Sequence, residues 1–140
     1  SSAFKVNQAF RHLSKGKKDS KIQLNVKGRT FMINIFFEGC ARFNFSDLCG
    51  VNLGAEDYIA IADRCNFITL VNVPDFTDEL VSQQQRFITL IDILYEKKIP
   101  MLISSDFSLK KFNSSKSLSN IYKRTISRLH ELTSPNFNKT

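Results

Sequence analysis

Residues 70–105 read LVNVPDFTDELVSQQQRFITLIDILYEKKIPMLISS, and the chain on either side is arranged about them. An apolar run from Phe67 to Val73 leads in, an amphipathic segment from Asp78 to Lys98 fills the middle, and a second run from Ile99 to Ile103 closes the stretch. Strand, helix and strand in that order make a βαβ unit, whose strands are parallel, whose crossover is right-handed and whose two faces are buried. The helix signals agree with one another. Thr77 is a good N-cap, Asp78 and Glu79 occupy the positive first turn, and Lys97 and Lys98 complement the last. Phe76 and Val81 have the spacing of a hydrophobic staple. At about 100° per residue, Val81, Phe87, Ile88, Leu90, Ile91, Leu94 and Tyr95 share one face, with Asp92 at its edge beside Ile88 and Arg86 pointing away. Pro100 cannot continue the helix and ends it.

Upstream, the apolar period changes to two. Ile22, Leu24 and Val26, then Phe31, Ile33, Ile35 and Phe37, then Phe43 and Phe45 alternate with other residues, with breaks at Lys27-Gly28-Arg29 and Glu38-Gly39. Alternation interrupted by glycine turns predicts an antiparallel meander of three strands. Met32 and Phe36 fall on the opposite face of this block. The phenylalanines read as core; a base-stacking platform needs basic residues interleaved on the same face, and only Arg42 intervenes. Ser46 to Gly54 reads as a loop. Ala55 to Arg64 reads as a short helix with Glu56 and Asp57 at its positive end and Tyr58, Ile61, Ala62 and Cys65 inward. The fold class expected is therefore α/β: an antiparallel β-meander, then a parallel βαβ unit, then a C-terminal helix. That helix runs from about Leu118 to Leu132, with Leu118, Tyr122, Thr125, Leu129 and Leu132 as its apolar stripe. The organisation expected is an N-terminal helix (Phe4 to Leu13) and basic loop over 1–21, an α/β domain over 22–132, and a frayed tail over 133–140. Between the βαβ unit and the last helix, Phe107 to Asn120 has the composition of a loop.

The 140 residues are enough for one domain, burying roughly 68% of its unfolded surface. Hydrophobic residues at 42% and charged ones at 24% fit a globular chain, and no apolar run approaches the ~20 residues that span a bilayer. With no initiating Met, the chain reads as part of a longer or processed protein. Cys40, Cys49 and Cys65 are odd in number and lack CxxC spacing, which points to reduced, buried thiols in a cytosolic setting. His12 and His130 lie near no cysteine, so no zinc site is expected. Net charge is +7, distributed as +7 over residues 1–30, −6 over 31–106 and +6 over 107–140. An acidic middle between basic ends neutralises itself on folding, which argues against nucleic-acid binding by bulk charge.

Arg124 and Arg128 stand one helical turn apart on the flank of the last helix. Like charges at that spacing repel unless an anion lies between them. The anion is Asp92 or another carboxylate at the core edge, or else a phosphate, for which arginine is well shaped. Asp75, Arg86 and Asp92 are the other charged candidates, as structural ion-pair partners. No catalytic constellation is present: there is no GxSxG, neither histidine has a recognisable Ser or Cys partner, and Asp57, Asp75 and Asp92 belong to separate elements.

Four segments stand in register within residues 22 to 132: Ala41-Arg-Phe-Asn-Phe-Ser-Asp-Leu-Cys49, Leu53-Gly-Ala-Glu-Asp-Tyr58, Arg86-Phe-Ile-Thr-Leu-Ile-Asp-Ile-Leu-Tyr95 and Arg124-Thr-Ile-Ser-Arg-Leu129. Together they resemble the C-terminal part of the AFG-one-like (ZapE-like) ATPases of the AAA P-loop type. Gln85, where the family commonly has a second Arg, Leu132 for a usual Met and Phe137 for a usual Tyr depart from the pattern. The resemblance implies a parent that binds and hydrolyses ATP with Mg²⁺, serves cell division or protein quality control, and works in the bacterial cytoplasm or at the periphery of the inner membrane. It implies as partners the nucleotide-binding part of the same protein and a division-ring protein. This chain itself has no GxxxxGK[ST], and the strand before Asp75 lacks the paired acids of a Walker B, so no cofactor and no catalytic residue are expected within it. Arg124 and Arg128 are then candidates to sense nucleotide in the full assembly. Readings from other classes are a protein-binding module acting alone, whose acidic and apolar 31–106 region self-associates, and a nucleic-acid binder using the basic ends, for which no RRM, KH or helix-turn-helix signature occurs.

Overall fold

The computed structural model describes residues 20–26, 28–37, 39–105 and 113–135. The expected helix over Phe4 to Leu13, nearly all of the basic loop, the first half of the loop after Asp106 and the end of the tail lie outside the described residues.

Among the described residues, five strands form one mixed sheet in sequence order: β1 (Ser20–Val26), β2 (Arg29–Phe37), β3 (Cys40–Asn44), β4 (Phe67–Val73) and β5 (Met101–Ser105). The first three are antiparallel and the last three parallel, so β3 belongs to both halves. The meander and the βαβ unit are thus continuous. Gly28 and Gly39 supply the positive φ of the two turns, 78° and 86°. The carbonyl of Gly39 also accepts from Asn66 N at 2.7 Å and Phe67 N at 3.3 Å, tying the start of β3 to that of β4.

The crossover from β3 to β4 carries two helices, α1 (Phe45–Leu48) and α2 (Ala55–Asp63), and that from β4 to β5 carries α3 (Val81–Glu96). After β5 comes α4 (Ser119–Leu132). α3 lies between α2 and α4 and packs on both. The core forms between this row and the sheet, from Ala41, Phe43, Ile68, Leu70 and Met101 on the strands and Tyr58, Ile61, Phe87, Leu90, Ile91, Leu94, Tyr122 and Leu129 on the helices. The rings of Phe45, Phe76, Phe87 and Tyr122 make one aromatic cluster with centroids 5.6 to 6.5 Å apart, a geometry that aromatic pairs favour.

Several local expectations are corrected. Phe45 does not extend the alternation of β3 but opens α1, because Asn44 turns the chain and its Oδ1 accepts from Ser46 N at 3.3 Å. In β2 the register pairs Ser20 with Phe36 but Ile22 with Ile33, one extra residue on β2. Such a bulge resets the two-residue period, so the alternation read from the sequence does not run unbroken along β2. The long helix begins as a 3-10 turn, Asp78–Leu80, capped by Thr77, whose Oγ1 accepts from Glu79 N at 3.3 Å. It ends at Glu96, so Lys97 and Lys98 lie beyond the last turn. Lys98 takes φ 56°, and Lys97 Nζ meets Asp63 Oδ1 of α2 at 2.5 Å. Thr133 is tied to the last helix, its Oγ1 donating to the Leu129 carbonyl at 2.8 Å.

Candidate functional site

Two polar clusters stand out on the α3–α4 layer. Contacts rise together along the two helices, from Gln84 with Ser115, through Phe87 with Tyr122, to Asp92 with Arg128. The helices therefore run parallel, and both begin at the carboxyl end of the parallel strands.

The first cluster centres on Asp92. Its Oδ1 accepts from Arg128 Nη1 at 2.6 Å, and Arg124 Nη2 lies 3.8 Å from its Oδ2. Arg128 also lies over the Tyr95 ring, 4.8 Å from the centroid. The Tyr95 hydroxyl donates to Glu131, which holds its proton above the usual tyrosine range. The side chains of Arg128 and Asp92 are 26% and 33% exposed, so this charge-assisted bond is only partly screened by water. The Arg124 side chain is 61% exposed against 26% for Arg128, so Arg128 is the inner partner and Arg124 the outer one.

The second cluster grips residues 113–116, at the start of the last helix. Gln84, wholly buried on α3, accepts at Oε1 from Ser115 N (3.1 Å) and Ser115 Oγ (2.7 Å), and its Nε2 donates to Ser114 Oγ at 2.6 Å. Asp75 accepts from Asn113 N at 3.2 Å and from Asn113 Nδ2 at 2.8 Å. Asp78 Oδ1 accepts from Lys116 N at 2.8 Å. Asp75 thus partners an amide and a backbone N–H where an ion pair was expected. Arg86, expected to point away, is half-buried and its Nη1 donates to the Cys49 carbonyl at 3.0 Å. The structure brings Asp92, Arg124 and Arg128 together and leaves Asp75 and Arg86 apart from them.

Gln84 and Asp78 were not picked out from sequence as binding residues. The signal for Gln84 was present: it sits four residues before Ile88 and seven before Ile91, a polar residue on the apolar face, and a buried amide needs partners. At the strand ends, Asn72 takes φ 63° where one extra residue enters β4 opposite β5, and its N–H donates to Ser104 Oγ at 3.1 Å. Cys49 and Cys65 are buried free thiols, each pushed up from 9.0 to about 12 by burial. Such thiols stay protonated and inert at neutral pH. Among the described residues no group of three or more His, Cys, Asp or Glu is placed to hold a metal, and no helix is long and apolar enough to cross a membrane.

Strand–helix repeats on a mixed sheet define an α/β domain. In comparisons with known proteins, all of residues 1–140 match the model of a family described as AFG1-like ATPase. The cell division protein ZapE of Escherichia coli K12 is 27% identical over 127 residues, which is 91% of this chain and 34% of that protein. Lactation elevated protein 1 homolog B of Danio rerio is 34% identical over 88 residues, 63% of this chain and 18% of the relative. An uncharacterised protein of Schizosaccharomyces pombe is 29% identical over 89 residues, 64% of this chain and 20% of the relative. No solved structure gives a significant match. The chain belongs to the AFG1-like ATPase family, and it spans about a third or less of the length of these curated relatives.

Proposed function

We propose that these residues are the C-terminal α/β part of an AFG1-like ATPase, a scaffold that docks on the nucleotide-binding part of the same protein and neither binds nor hydrolyses ATP itself. In this reading the whole protein handles ATP and Mg²⁺ elsewhere and works in the cytoplasm. The name of the bacterial relative supports a role in cell division, with a division-ring protein as partner. One observation carries the proposal. Ligand phosphates in α/β sheets are received at the carboxyl ends of the parallel strands, by glycine-rich loops and helix N-termini. Here the loop leaving β4 offers the carboxylates of Asp75 and Asp78, both spent on residues 113–116. Carboxylates at that position repel phosphate, and the sequence has no P-loop lysine to offset them. The residues present do not fit a nucleotide.

Isothermal titration of this chain with Mg-ATP is expected to give only heat of dilution; micromolar binding would overturn the proposal. Arg124 supports a narrower reading. As the exposed member of its pair, it is the cation available to an anion across a subunit or domain boundary. If Arg124→Ala in the full-length protein leaves ATP turnover unchanged, that narrower reading is lost.

A further inference from the structure

We infer that the outer edge of β5 docks one more strand, supplied by a part of the full-length protein outside these residues. The two ends of the sheet differ in how they are guarded. Sheet edges are normally blunted by charges, prolines or bulges, because an open ladder pairs with whatever strand it meets. β1 carries a charge as such a guard, the exposed Lys21; the ladders at both ends are irregular, between Ser20 and Ile22 and between Leu70 and Val73, so it is the charge that distinguishes the two edges. β5 is Met-Leu-Ile-Ser-Ser, without a charge or a proline, and among the described residues it pairs only with β4. Leu102 and Ile103 are both half-buried, so an added strand would cover apolar surface on each face.

The backbone shows which groups are on offer. Ile68 is the register partner of Met101, and its N–H bonds to the Pro100 carbonyl at 3.2 Å. In a parallel ladder alternate residues bond to the same neighbour, so Leu102 addresses β4 while Met101 and Ile103 direct their N–H and C=O to the outer side. α4 follows β5 and runs beside α3, the position taken by a right-handed crossover to a strand beyond β5. Cover for the inner face of an added strand is therefore already in place. The occupant follows from length: the match accounts for 34% of the bacterial relative, so a protein of that size has ample chain elsewhere to furnish a strand. The inference rests on the reading of this chain as part of a longer ATPase, but the two fail separately. Nucleotide titration tests the first and amide exchange the second.

The test is residue-resolved hydrogen exchange on the full-length protein at two concentrations. The Ile103 amide is expected to exchange at least about tenfold more slowly than the outward amides of β1, unchanged on dilution. Ile103→Pro removes an outward N–H without touching the ladder to β4, and it should speed exchange at Met101 by about tenfold, while Ile103→Ala should not. The Leu70 amide, inside the sheet, reports whether the Pro variant is still folded. Three results would overturn the inference: Ile103 exchanging as fast as the β1 edge, protection that vanishes on dilution (a second copy as occupant), or Pro and Ala variants with the same effect. The first two need no variant.

Discussion

Asp92 faces two arginines and holds them unequally. Arg128 has a charge-assisted hydrogen bond at 2.6 Å and an aromatic ring beneath it, whereas Arg124 sits at 3.8 Å with most of its side chain in water. Exposed ion pairs contribute about 0–1 kcal/mol, while a half-buried charged hydrogen bond with a cation–π contact contributes about 1–3 kcal/mol. Arg128→Ala should therefore destabilise the domain by about 1–3 kcal/mol in urea unfolding, and Arg124→Ala by about 0.5 kcal/mol or less. Equal losses would mean that the pair acts as one unit. The spacing of the two arginines made the need for an anion legible in the sequence. Which arginine is inner was not legible, because it depends on where the Tyr95 ring falls relative to the last helix, a tertiary fact.

At the level of elements, the joint between α3 and the segment leading into α4 is polar at its heart. Gln84 alone makes three hydrogen bonds to Ser114 and Ser115 in the interior. Gln84→Leu keeps the volume but strips the buried Ser115 groups of their acceptor, so a loss of about 2–3 kcal/mol is expected by urea unfolding, with faster amide exchange across the first turn of α4. Asp75→Ala, whose partners are exposed, should cost no more than about 1 kcal/mol. A loss for Gln84→Leu no larger than for Asp75→Ala would show that the amide is dispensable. The element types were largely legible, since β4, α3 and the stripe of Tyr122, Thr125, Leu129 and Leu132 follow from period and caps. The bulge in β2 was not, because an inserted residue leaves little mark on FMINIFF, a run whose only polar residue is Asn34 and whose apolar residues fall at both odd and even positions. Asn72 was hidden for a related reason: it sits between two valines near the end of an apolar run, and only the register with β5 reveals its left-handed backbone.

For the whole molecule, the buried protons set an alkaline limit. Burial disfavours the charged forms, raising Cys49 and Cys65 from 9.0 to about 12, and Tyr58 and Tyr122 above the usual tyrosine range. A raised pKa means that the native state keeps a proton that the unfolded chain releases. The contribution is present in full below pH 9 and is lost as pH climbs through about 12. Urea midpoints should be level between about pH 7 and 8.5 and fall from about pH 9 upward, with a shallower fall in Cys49→Ala. A midpoint flat to pH 10.5 would contradict the buried thiols. The α/β class was legible because both periodicities are strong in the chain. How the halves join was not, since β3 is read by its alternation as the end of a meander and only its parallel pairing with β4 makes it the hinge of the sheet.

That strands neighbour one another in the order they are made has a consequence for biogenesis. Each described strand leaving the ribosome finds its partner already made, and none of the five must thread between earlier ones. The antiparallel pairs β1–β2 and β2–β3 close over short turns and form first, whereas the parallel pairs β3–β4 and β4–β5 wait on crossovers over residues 45–66 and 74–100 and are the slower steps. Assembly of the five described strands can therefore follow the order of synthesis, and the grip of Asp75, Asp78 and Gln84 on residues 113–116 forms only after β5 has been made.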